Sequence, residues 1–121
     1  MERDVIPILK WGNYLITSPQ TALHDKMALR FGEAILKKIV ETNAKGLILD
    51  ISAIDIVDSF LVRKIAEIAT STKIMGAQVI VVGLRPAVAM TLSEMGFTLN
   101  GIYTALDLEK GIAILEKMET H

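Results

Sequence analysis

Two short and almost continuously apolar runs, at residues 46–51 and 78–82, constrain what this chain can fold into more than any other feature. The first reads Gly46-Leu47-Ile48-Leu49-Asp50-Ile51 and the second Gln78-Val79-Ile80-Val81-Val82. A strand that lacks polar alternation has to be covered on both faces or lie centrally in a sheet. Each run is followed by a stretch with helical spacing. After the first, Leu61, Ile65, Ile68, Thr72 and Met75 recur at three- and four-residue intervals and predict a helix over 59–75. Gly76 then supplies the residue that ends helices in a left-handed cap. After the second run, Pro86 stands near a first helical turn, where proline is favoured. Val88, Leu92 and Met95 give that helix its apolar face, and Gly96 stops it.

The flanking segments extend the pattern. Residues 5–9 form an apolar run broken by Pro7, which suits an edge strand. Gly12-Asn13 offers a turn into Tyr14-Leu15-Ile16, so the chain is expected to open with a hairpin that Pro19 closes. Residues 21–43 predict a helix with Ala28, Phe31, Ile35 and Ile39 inward, ended by Asn43 and Gly46. Gly32 weakens its middle by up to ~1 kcal/mol relative to alanine unless a close packing contact compensates. Residues 99–103 predict a last short strand. Thr104, with Asp107 three residues on, forms a weak capping box for a final helix lined by Ile112, Ile114, Leu115 and Met118. The order is strand, strand, helix, then strand–helix three times. That is an α/β fold with a mixed, largely parallel β-sheet, an N-terminal hairpin and about four helices, in one domain over residues 1–121.

Composition removes several classes of chemistry. The 121 residues include no cysteine, which excludes disulfides, thiolate metal sites and thiol catalysis. His24 and His121 are the only histidines, so no metal is expected. A net charge of −1 provides no basic field for phosphate backbones, and nucleic acid is not an expected partner. No basic start leads into an apolar stretch, and no apolar run approaches the ~20 residues of a membrane helix; a cytoplasmic protein is expected. His24 lacks a glycine-flanked nucleophile to serve, no phosphate-binding glycine loop precedes Lys-Ser or Lys-Thr, and no cofactor is expected. Apolar residues make up 51% and aromatics only 5%, with a mean hydropathy of +0.43. Either an aliphatic-rich core or a surface covered by neighbours accounts for that balance.

Asp58-Ser59 is the pair that carries chemistry. It follows the loop 50–57 at the carboxyl end of a central strand, where ligands and partners collect in open α/β sheets. Asp58 is a good N-cap, and Val57 with Val62 has the spacing of a hydrophobic staple. With Asp58 as cap, the Ser59 hydroxyl is not needed by the helix. A phosphoryl group there would meet unpaired N–H groups and the positive end of the macrodipole. It would also meet Asp50, Asp55 and Asp58, whose repulsion competes with that attraction. Asp50 as a phosphoacceptor is disfavoured, because no acidic pair follows the first strand and residues 99–106 contain no lysine. Its expected role is to anchor the loop through backbone hydrogen bonds.

The strand over 46–51, the loop ending Ile56-Val57-Asp58-Ser59 and the segment Met75-Gly76-Ala77-Gln78-Val79 resemble the landmarks of the STAS domain, the fold of bacterial anti-sigma-factor antagonists. Sporulation-type antagonists generally follow the Asp-Ser with a small polar residue and glycine; here Phe60-Leu61 follows. Asp58-Ser59-Phe60, Met75-Gly76-Ala77 and residues 83–89 are similar to the RsbS-type branch, the single-domain scaffolds of the stressosome. The resemblance implies a non-enzymatic scaffold that co-assembles with RsbR-like STAS proteins as a homo- or hetero-oligomer. It implies sequestration of an RsbT-like serine/threonine kinase, phosphorylation at Ser59 with release of that kinase, and resetting by an RsbX-like phosphatase. Asp55, Asp58, Phe60 and Arg63 are the candidate kinase contacts. The alternatives are a small-molecule or anion-binding STAS module, using the same helix N-terminus, and a simple anti-sigma-factor antagonist.

Overall fold

Gly12, at φ +57°, reverses the chain between Ile8–Trp11 (β1) and Tyr14–Thr17 (β2), and the antiparallel pair they form opens the sheet. The computed structural model describes residues 6–21, 23–55, 58–94 and 102–119. After the hairpin come Asp25–Thr42 (α1), Gly46–Asp50 (β3), Ser59–Ile74 (α2), Gln78–Val82 (β4), Pro86–Glu94 (α3), Tyr103–Ala105 (β5) and Leu108–Glu119 (α4). The strands make one five-stranded sheet in the order β1-β2-β3-β4-β5. Every pairing from β2 onward is parallel. The edge strand expected over 5–9 is β1, shifted to Ile8–Trp11 so that Pro7 stands before it and not within it, and the two apolar runs became β3 and β4 in the interior of the sheet.

Alternation along those strands serves two cores. Leu15, Leu47, Leu49 and Val81 face α1 and α2 and pack with Phe31, Ile35, Ile39, Leu61 and Ile65. Tyr14, Ile48, Ile80 and Val82 face the other way and pack with Leu115 of α4, with Ile112, Ile114 and Met118 alongside. Both faces are therefore covered, which is why neither run tolerates polar alternation. The α4 backbone lies hard against the sheet: a Cβ on Gly111 would stand 2.8 Å from Val82 Cγ1. A third cluster, Val62, Val88 and Leu92, joins α2 to α3.

Several boundaries differ from the sequence reading. α1 begins at Asp25, not Thr21; His24 occupies its cap position without a side-chain hydrogen bond, and Leu23 is buried ahead of it. The inner stripe of α2 includes Val62 and Ala69 and excludes Met75, which is exposed. Gly76, at φ +97°, ends the helix there and turns Ala77 into the buried position instead. The last strand starts at Tyr103, where the expected one ended. Thr104 belongs to that strand, and Asp107 itself caps α4 by accepting from Lys110 N at 2.9 Å. A capping box anchored on Thr104 is therefore wrong, because the strand pairing Val81↔Thr104 claims that residue. Val5, Met95, Gly96 and residues 99–101 lie outside the described residues.

Charge is brought to one end of this core. Tyr14, 4% exposed, donates its hydroxyl to Glu119 Oε2 at 2.9 Å. Burial first, then that hydrogen bond and the charges of Glu119 and Glu116, push its phenol up to about 12. An unfolded tyrosine titrates near ~10. Between those values the unfolded chain binds fewer protons than the native one, so stability falls as pH rises. The tyrosine's contribution is expected intact below pH ~10 and lost as pH passes through about 12, with Tyr14→Phe removing this part of the decline. Urea unfolding across that range, alongside a 295 nm absorbance titration, measures it.

Candidate functional site

The carboxyl ends of β3 and β4 lie side by side because Asp50 pairs with Val82 in register. The loops that leave them are fastened together. Asp50 Oδ1 accepts from Ser52 N at 2.9 Å, closing a local turn, and Ile51 N donates across to Val82 O at 3.0 Å. Ser18 Oγ adds a longer contact to Asp50 O at 3.4 Å. Asp50 is thus the loop anchor that the sequence suggested. Gly83 follows β4 at φ +79°, and a Cβ there would stand 2.7 Å from Ser52 Cβ and 2.8 Å from Asp50 Oδ1. Only glycine fits.

Arg85 completes the clasp. Its Nη1 pairs with Asp55 Oδ1 at 2.9 Å and its Nη2 donates to Ser52 O at 2.5 Å, so one planar guanidinium spans the loop after β3. The pair is exposed, and such pairs contribute at most ~1 kcal/mol. What it supplies is orientation. Sequence reasoning placed Asp55 at the rim of a kinase site but missed its partner. The available signal was a lone arginine three residues beyond the end of an apolar strand, just ahead of Pro86.

Asp58 has extended backbone, φ −118° and ψ 178°, and its Oδ1 accepts from Leu61 N at 2.9 Å. It is the N-cap of α2, as expected. Leu61 and Val62, both nearly fully buried, pin the first turn to the core under α1 and α2 and to the cluster shared with α3. Ile56 and Val57 lie outside the described residues, so the staple between Val57 and Val62 does too. Ser59 is the first residue of α2 and is half-buried. Its hydroxyl makes no hydrogen bond with the described residues. Phe60 is half-buried, with Lys64 Nζ 5.4 Å from its ring centroid. Arg63 is exposed one turn beyond Ser59 and has no ion-pair partner among the described residues.

The electrostatics differ from a bare triplet of carboxylates. Asp50 is committed to a backbone amide, and Asp55 is matched by Arg85. Asp58, itself bonded to Leu61 N, is the carboxylate adjacent to Ser59, and it sits where a helix dipole already favours negative charge. Among the described residues, no group of three or more His, Asp or Glu side chains could hold a metal ion. None of the described helices is long and apolar enough to cross a membrane.

The family model of the STAS domain matches residues 10–108. This chain belongs to the STAS family. Its fold superimposes with a TM-score of 0.82 on a Moorella thermoacetica RsbS in which a serine is replaced by glutamate. The two are 37% identical, over 96% of this chain and 98% of that one. A chain from a structure of the stressosome, described as a signal integration and transduction hub, gives a TM-score of 0.83 at 40% identity. That match covers 95% of this chain and all of the other. Among curated relatives, the RsbT co-antagonist protein RsbRA of Bacillus subtilis (strain 168) is 25% identical over 112 residues, 93% of this chain. The STAS chain spans about two fifths of that relative's length. The expected fold, hairpin and helices included, agrees with these neighbours, and the chain is RsbS-like in structure and sequence.

Replacing the cap tests how far the site depends on it. Asp58→Ala is expected to cost ~1 kcal/mol of unfolding free energy, while Asp58→Asn retains most of it, because asparagine caps nearly as well. Denaturant titration of the three proteins measures both.

Proposed function

We propose that this STAS chain is a non-enzymatic scaffold of the stressosome type, switched by phosphorylation at Ser59. In this reading it co-assembles with RsbR-like STAS proteins and holds an RsbT-like serine/threonine kinase. The kinase leaves when it has phosphorylated Ser59, and an RsbX-like phosphatase restores the hydroxyl. The observation that carries the reading is a serine at the first position of α2 whose hydroxyl the helix does not use, because Asp58 already caps it. Identity of 37% and 40% to RsbS and stressosome chains over nearly the whole length supports the assignment to that assembly. So does the relation to a protein named as a co-antagonist of RsbT.

The physics of the switch is local. A phosphoserine carries about −1.5 to −2 charge and three acceptor oxygens. At a helix N-terminus it meets free N–H groups and the positive end of the dipole, so α2 tolerates it. Asp58 beside it and Arg63 one turn on set the field that a docked kinase encounters. Phe60 offers that kinase an apolar contact between them. Asp55, held by Arg85, forms the far rim.

Assembly has a surface available. Leu9 and Trp11 on edge strand β1 are 62% and 60% exposed. By register they share a sheet face with Ile16 and Tyr14. Large apolar side chains in that position are what a neighbouring subunit would cover. Of the two explanations for the hydropathy, the aliphatic core is present, and this uncovered edge fits the other.

Incubation with an RsbT-like kinase and ATP, followed by mass spectrometry, should add one phosphate to the wild type and none to Ser59→Ala. Equal incorporation in both proteins would remove Ser59 from its role. Ser59→Asp should weaken retention of the kinase while its melting temperature stays within a few degrees of wild type. Size-exclusion chromatography with an RsbR-like protein should yield a particle far larger than either component. Two separate peaks at the component masses would reject the scaffold reading.

A further inference from the structure

Gly32 is the starting point. A glycine in a helix interior is disfavoured against alanine by roughly 1 kcal/mol. Close packing does not require this one: a Cβ there would meet only Ile68 Cγ1, at 3.5 Å, an ordinary contact. Its φ is not positive either. Gly32 lies in the floor, with Ala28 and Ile68, of a groove of about 200 Å³ between α1 and α2. Leu29, 65% exposed, stands on its wall.

The rim of that groove is acidic. Asp25 and Glu33 from α1 and Glu67 from α2 line it, against the single cation Lys64. Lys64 is already engaged, 3.2 Å from Glu67 Oε1 and over the ring of Phe60. Neither Asp25 nor Glu33 has an ion-pair partner among the described residues. The groove is smaller than the ~300 Å³ at which small-molecule pockets begin. It is bounded by two helices, the setting in which a third helix packs its ridge.

We propose that the α1–α2 groove is a docking site for a basic amphipathic helix of another protein. An apolar side chain of that helix would enter over Gly32 and against Leu29, and lysine or arginine on either side would meet Asp25 and Glu33. Residues 25, 29, 32, 33 and 36 share one face of α1 at three- and four-residue spacing, which borders the core face of Phe31, Ile35 and Ile39 along Ala28. The site is distinct from the Ser59 hydroxyl and does not depend on its phosphorylation.

The full chain, labelled with ¹⁵N, is titrated with a synthetic helical peptide that carries leucine at i, i+3, i+4 and i+7 between lysines. A second peptide replaces every lysine by glutamate. Saturable shifts at the amides of residues 25–36 and 64–71 with the basic peptide, and none with the acidic one, are the expected result. Glu33→Lys should weaken binding at least fivefold. Gly32→Ala should raise the thermal midpoint by a few degrees while weakening the peptide, a combination that a packing role for the glycine does not produce. No saturable shift with the basic peptide, equal response to both peptides, or shifts centred on Leu9 and Trp11 would each overturn the proposal. Groove occupancy is read from amide shifts and Ser59 from phosphate mass, so either reading can fail alone.

Discussion

The parallel pairing of β3 with β4, sealed on both faces, is the constraint on which the rest of this structure depends. Leu47, Leu49 and Val81 point into one core, and Ile48, Ile80 and Val82 into the other, while register holds Asp50 opposite Val82. Two strands fixed in this way end level with each other. Their outgoing loops then have no choice but to touch. Gly83 without a side chain, Asp50 folded onto Ser52 N and the Arg85 clasp on Asp55 and Ser52 are consequences of that contact.

A rigid platform of this kind holds a displayed surface in fixed geometry. Leu61 and Val62 are buried beneath the first turn of α2, so Asp58, Ser59, Phe60 and Arg63 are displayed from a fixed base. Among the described residues, the Ser59 hydroxyl has no hydrogen-bond partner at this end. The free hydroxyl, the capping carboxylate and the helix dipole make it a place where added charge changes the outward field with little demand on the fold.

The two exposed apolar regions differ in character. Leu9 and Trp11 lie on an edge strand, where both backbone and side chains await a neighbour. The groove over Gly32 is narrow, flanked by carboxylates and backed by two helices. The first fits a broad subunit contact in the proposed assembly, and the second fits the single inserted helix proposed for it.

Much of this was legible from residue order alone. Unbroken apolar runs can only be interior strands, a three- and four-residue rhythm can only bury one helical face, and an aspartate ahead of such a rhythm caps it; these are short-range rules, so β3, β4, α2 and the Asp58 cap were evident before any coordinates. Long-range partnership is not encoded in spacing. Nothing in the sequence shows that Arg85 reaches Asp55 thirty positions earlier, that Thr104 is claimed by Val81 as a strand residue, or that Met75 faces solvent while Ala77 turns inward. Nor could it show that Gly32 has room for a methyl group and so is not explained by packing. Those outcomes depend on which elements meet in space. The local pattern determined the elements; only the tertiary structure decided their contacts, because a side chain's partner is set by how sheet and helices close around it.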